Sequence, residues 1–133
     1  MTDAGRAALE RAKARLDPLA LYPRPIRLGG VRVVHAPWLF HGPWFGRFVG
    51  YTMWNLILLR EPPASASDDL VAHELVHVWQ MQHRPVRMPL SFLRWPYSRN
   101  PYERQARAAV QRTSRNSMAR EKNSPGLGPP SIA

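Results

Sequence analysis

His73-Glu74-Leu75-Val76-His77-Val78-Trp79-Gln80 is the stretch on which the reading of this chain turns. It is expected to be helical on grounds unrelated to its histidines. Ser65 stands three residues ahead of Asp68 as a capping box before the apolar run, and Pro85 sets the latest end. Residues four apart share a helix face, so the imidazoles of His73 and His77 can reach one metal ion, and Glu74 can touch a water bound to it. The competing reading is a buried helix whose histidines are hydrogen-bonded in the core. Burying two imidazoles and a carboxylate together without a metal would need several compensating partners.

The chain has no cysteine, which excludes disulfides, thiolate metal sites, iron–sulfur clusters and cysteine nucleophiles. Any metal is therefore held by His and carboxylate. Zinc accepts both, and a catalytic zinc takes three protein ligands and leaves the fourth position to water. Three residues after the motif are candidates for the third ligand: His83, Glu103 and Glu121. His83 follows His77 by six residues, the spacing of metzincins, but the midway glycine that turns their chain back is Gln80 here. On a continuing helix His83 lies ~240° around from His77 and points away. Glu103 sits in the first turn of another expected helix, which starts at Asn100 with Pro101 in the first helical position and runs toward Gln111 or Arg115. The alternative role for Glu103 is a capping-box carboxylate serving Asn100.

The motif His73–Gln80, followed by a helix bearing a lone Glu, resembles the gluzincin group of zinc metallopeptidases, especially the single-domain minigluzincins. The similarity spans roughly residues 48 to 114. It implies a minimal zincin-like α+β fold in which His73, His77 and Glu103 bind Zn2+ and Glu74 is the catalytic base. It further implies an endopeptidase that cleaves peptide bonds through a zinc-bound water, with the strand from Met53 to Arg60 as the upper cleft edge to which a peptide adds. One position departs from the thermolysin-like pattern: Arg107 stands where an Asp would orient a ligand histidine, so that partner must come from elsewhere, with Asp69 a candidate. Tyr102 and Tyr97 are the candidate hydrogen-bond donors to the oxyanion, with Tyr102 the one assigned to catalysis.

Outside the motif, Asp3 to Leu16 has the apolar spacing of an amphipathic helix, which Asp17-Pro18 ends. Val31 to His35 is β-branched and strand-like. His35 to Gly46 is an aromatic loop whose two histidines, His35 and His41, are expected to be loop or core residues. Trp38, Trp44 and Trp54 are expected in the core, the alternative being that one of them lines the cleft. From Phe48 to Arg60 the alternation suits strands, with Gly50 marking a bend and Tyr51, Met53, Asn55, Ile57 and Leu59 on one face. The expected fold is α+β, one domain over residues 1–114 followed by a flexible, basic, Pro- and Gly-rich tail over residues 115–133.

Residues 1–83 carry nine basic and seven acidic side chains, whereas residues 84–133 carry ten basic and two acidic. A basic half of this kind suits an acidic partner, nucleic acid or anionic lipid, or serves only as a solubilising surface. The second functional reading follows from it: a zinc-stabilised, catalytically idle domain that binds such a partner through its C-terminal half. Minigluzincins can also be held latent by a C-terminal segment in the cleft, and that resemblance points to Glu121 as a carboxylate able to block the metal. The longest apolar run, Phe48 to Leu59, is shorter than the ~20 residues of a membrane span, and no targeting pattern opens the chain, so the cytoplasm is the expected compartment.

Overall fold

The computed structural model describes residues 1–41 and 49–123, with the backbone alone at 117 and 120–123. The fold is α+β: four helices and a three-stranded sheet. Helix α1, Asp3–Leu16, has the bounds its apolar spacing predicts, and the Thr2 hydroxyl caps it by accepting from the Gly5 N–H at 3.1 Å. Its buried face of Ala8, Leu9, Ala12 and Leu16 packs on α2, Asp68–His83. One apolar core runs from Ala8 to Ala109 and joins α1, α2, the sheet and the last helix, α4, Pro101–Asn123. Removing a large side chain at its centre, such as Leu75, would cost about 2–5 kcal/mol.

The sheet has the order β1-β3-β2, with β1 Arg32–His35, β2 Gly50–Met53 and β3 Leu56–Leu59. β1 runs parallel to β3, and β2 pairs antiparallel to it through a tight turn at Trp54 and Asn55. That turn corrects the expected side-chain face. A hairpin opposes Thr52 to Ile57 and Gly50 to Leu59, so these four share the buried side while Tyr51 and Met53 lie on the other. It also moves the expected cleft edge. β3 is bonded on both sides and cannot accept another strand, whereas β2 has none on its outer side among the described residues.

Trp54 closes the turn with φ of 51°, a left-handed conformation rarely adopted by bulky residues. Two contacts hold it there: its backbone N–H lies 2.9 Å from Met81 Sδ, and its indole N–H donates to Pro85 O at 3.1 Å. Trp38 and Trp54 are both exposed and outside the core, and Trp54 takes the alternative place expected for one of them, lining the cavity of the candidate site. Trp44 lies outside the described residues.

Helix α2 is capped by Ser67, whose hydroxyl accepts from the Leu70 N–H at 3.1 Å, and not by Ser65. Asp68 and Asp69 in its first turn suit the helix dipole and pair across to Arg11 and Arg15 of α1 at 3.1 and 2.8 Å. Helix α3, Arg87–Arg94, is not anticipated by the sequence reading, because Pro85, Pro89 and Pro96 punctuate an eight-residue segment too short to show a period. A short 3₁₀ turn, Tyr97–Arg99, leads from it to α4. Asn100 is fully buried and serves both helices: its Oδ1 accepts from the Tyr102 N–H at 2.8 Å, and its Nδ2 donates to Ser91 Oγ at 2.8 Å.

α4 continues to Asn123, past Ser114 where the sequence reading begins the tail. Residues 111–123 contain neither Gly nor Pro, and the first breaker is Pro125. The end of the expected tail, residues 124–133, lies outside the described residues. Among the described residues no helix is long and apolar enough to cross a membrane.

Candidate metal centre

Helix periodicity puts His73 and His77 on the face of α2 that meets α4, and the cap at Asn100 sets Glu103 in the first turn of α4 opposite them. The Glu103 carboxylate is divided between the two rings: Oε2 lies 3.1 Å from His73 Nε2 and Oε1 lies 2.7 Å from His77 Nε2. The rings meet edge to face with centroids 4.9 Å apart. One ligand atom from each of the three residues lies within 4.8 Å of the others, a group able to hold a metal ion. Glu103 therefore does not serve Asn100 as a capping-box partner; its carboxylate points across to α2.

The donor chemistry fits a cation. Gln80 Nε2 donates to the Tyr102 carbonyl at 2.8 Å, which orients the amide so that its Oε1 accepts from His77 Nδ1–H, also at 2.8 Å. With the proton on Nδ1, a neutral His77 presents a bare lone pair at Nε2. That atom is buried and has no aligned hydrogen-bond partner, although a carboxylate oxygen stands 2.7 Å away. Two lone pairs at that distance repel unless a proton or a metal ion lies between them.

A proton there would make the contact an ion pair. Burial pushes His77 down, but the Glu103 hydrogen bond, the charges of Glu74 and Glu103 and the Gln80 contact outweigh it and raise His77 above its ordinary value. Burial likewise pushes Glu103 up, and its hydrogen bonds to His73 and His77, with their charges, bring it down to about 2.

Gln80 is thus the partner that orients His77, whereas the sequence offers Asp69 for the orienting of a ligand histidine. Asp69 instead pairs with Arg15 at the surface. Gln80 is itself held, since Nε2 also donates to Gln105 Oε1 at 2.8 Å, and the same oxygen accepts from Tyr22 OH at 2.9 Å. Its place three residues after His77, on the same helix face, is the signal that could have found it.

Glu74 is buried beside the group. The Thr52 hydroxyl is 2.5 Å from Glu74 Oε2 and 3.2 Å from the Glu74 carbonyl, so β2 holds one carboxylate oxygen, and the other makes no hydrogen bond among the described residues. Gly50 eases that approach: a Cβ there would stand 3.3 Å from both Glu74 Cγ and Oε1, closer than an ordinary contact. Thr52 and Gly50 were not anticipated as site residues. They become visible only when the hairpin register sets both on the buried side.

A cavity of about 400 Å³ opens in front of Glu74, His77 and Glu103, walled by β2, by Met81 of α2 and by Met88, Pro89 and Phe92 of α3. Tyr97 lines it; Tyr102 does not, and its phenol lies near Tyr22, whose own phenol is pushed above its ordinary value by burial and then by that neighbour. Burial, reinforced by the Glu103 and Glu74 charges and a hydrogen bond to Glu103, raises the Tyr97 phenol above its ordinary value, so it remains a donor. His83 is turned away, as expected: its Nδ1 donates to the Trp79 carbonyl at 3.1 Å and its ring stacks on Tyr22. His35 and His41 are exposed and stand outside the group. Glu121 sits five turns beyond Glu103 on α4, about 27 Å along the helix axis, so its backbone is far from the His73, His77 and Glu103 group.

The fold and the site together define an α+β domain with a His-His-Glu group, buried at His77 and Glu103 and partly buried at His73, that is able to hold a metal ion. No family model, curated protein or solved structure matches the chain.

Proposed function

We propose that this protein is a zinc-dependent metallopeptidase, with His73, His77 and Glu103 as the zinc ligands and Glu74 as the general base. The observation that carries the reading is the convergence of three ligand atoms within 4.8 Å, two of whose residues, His77 and Glu103, line one cavity with the buried Glu74. Zinc is preferred for an N,N,O donor set containing two imidazoles and one carboxylate. When bound, it supplies Lewis acidity toward water and a peptide carbonyl.

The protein's own groups do the rest. The other oxygen of Glu74 takes a proton from water as that water's oxygen adds to the peptide carbonyl carbon, and returns it to the amine nitrogen as the C–N bond breaks. Thr52 keeps that carboxylate aimed, and Gln80 keeps the lone pair of His77 Nε2 directed at the ligand position. Tyr97, which keeps its phenolic proton, is the donor for the charge that develops on the carbonyl oxygen, the role assigned from sequence to Tyr102. The outer edge of β2, which pairs with no strand among the described residues and runs along the cavity wall, supports an extended peptide as the substrate.

The test is metal analysis of the purified chain together with hydrolysis of a quenched-fluorescence peptide mixture. One equivalent of zinc and chelator-sensitive cleavage that Glu74→Gln removes would uphold the reading. Stoichiometric zinc with no cleavage of any peptide would replace it with an idle metal-stabilised domain.

A further inference from the structure

The helix that walls the cavity also turns an apolar stripe to solvent. Val86, Leu90 and Leu93 recur at i, i+4 and i+7 along α3 and its N-terminal edge, and they are 65%, 54% and 85% exposed, while Met88 and Ser91 take the buried side. Two exposed indoles border the region: Trp95 at the end of α3, and Trp54, bonded to Pro85 O. Arg84, Arg87, Arg94 and Arg99 are all exposed around it, and none makes an ion pair among the described residues. The chain has no Asp or Glu between Glu74 and Glu103. Arg94 lies over the Trp95 ring, 4.8 Å from its centroid, which fixes a cation beside an apolar surface.

We infer that this face docks on an anionic lipid surface, with α3 lying in the plane of the interface. The chemistry matches layer by layer. The aliphatic stripe enters the acyl boundary, the indoles sit at headgroup level, and the guanidiniums pair with lipid phosphates while their stems lie along apolar neighbours.

Charge decides among other occupants. A second copy would bring four arginines against four with no carboxylate to answer them, and a nucleic acid would satisfy the arginines but leave Val86, Leu90 and Leu93 in water. Docking also bears on the cavity, because Met88, Pro89 and Phe92 of the same helix line it. The cavity mouth then lies close to the membrane surface.

The experiment is co-sedimentation of the full chain with phosphatidylcholine vesicles, with and without ~30% phosphatidylglycerol, at ~0.1 M salt. The chain should bind the anionic vesicles at least about tenfold more tightly than the neutral ones. A Leu90→Ser/Leu93→Ser variant should lose about tenfold or more of that binding, and Arg87→Gln/Arg94→Gln should lose the preference for anionic lipid. These side chains face solvent, so both variants should keep the wild-type circular dichroism and thermal transition, a check made alongside. Absence of binding to anionic vesicles overturns the inference. So does serine-variant binding equal to wild type, which would reveal a plain polyanion surface. A dimer that Leu90→Ser/Leu93→Ser dissociates, with no vesicle binding, would assign the stripe to a second copy.

Discussion

His77 and His83 stand on the same helix, six residues apart, each with a buried Nε2 that meets no aligned hydrogen-bond partner. Each also has its Nδ1 engaged locally, His77 with Gln80 and His83 with the Trp79 carbonyl. The rings then diverge. Around His77, Glu103 and His73 bring further ligand atoms within 4.8 Å. His83 lies flat against Tyr22, with centroids 4.8 Å apart and 14° between planes, and among the described residues no metal-binding group includes it. A histidine's capacity to bind metal therefore comes less from the imidazole than from which helix stands opposite.

The sharpest way to break this contrast is to remove ligands from one region only. His77→Ala and Glu103→Ala should each lower zinc affinity by more than about 100-fold, whereas His83→Ala should leave it within about twofold. Competition titration with a chromogenic chelator measures both, and equal losses in the two regions would void the assignment. Next in size, Glu74→Gln should retain zinc but lower peptide hydrolysis by about 10²–10⁴-fold, since an amide can hold water yet cannot accept its proton. A variant with wild-type turnover would rule Glu74 out as the base.

Smaller effects sharpen the role of the surrounding groups. Gln80→Ala should weaken zinc binding by about tenfold while the chain stays folded, because His77 loses the contact that sets its tautomer. An unchanged affinity would show that α2 alone aims the ring.

The metal-free protein should report the same region through pH. Glu103, depressed to about 2, contributes stability above the ordinary carboxylate range that is lost as pH falls toward 2. His77, raised above its ordinary 6.5, contributes stability below that value that is lost as pH rises through its folded-state value. The Tm difference between wild type and Glu103→Gln should therefore be greatest between pH 4.5 and 6.5. Zinc affinity should climb above that window as His77 gives up its proton. A Tm difference that does not vary with pH would contradict the ion pair. The smallest expected change is His83→Ala, a loss of about 1 kcal/mol of stability from the Tyr22 stack, read by denaturant unfolding with zinc content unaltered.

Much of this was legible in the chain itself. Helical spacing is a local property, so His73 and His77 on one face, the bounds of α1, the start of α4 and the turning away of His83 all follow from residues a few positions apart. The absence of cysteine restricted any metal to imidazole and carboxylate ligands. Charge, too, was visible as a count, though its grouping around an apolar stripe was not.

Other features depended on contacts between segments distant in sequence, and only the tertiary structure decided them. Gln80 became the orienter of His77 because α4 offered the Tyr102 carbonyl and Gln105 to its amide. Thr52 and Gly50 gained their places beside Glu74 from the hairpin register, which reverses faces on a one-residue shift. Tyr97 faced the cavity in preference to Tyr102 because the 3₁₀ turn before α4 set it there. Helix α3 formed in a proline-punctuated segment whose isolated eight residues have too few turns to be stable alone; packing Met88 and Ser91, and the Asn100 bond to Ser91, supplied what local propensity lacked.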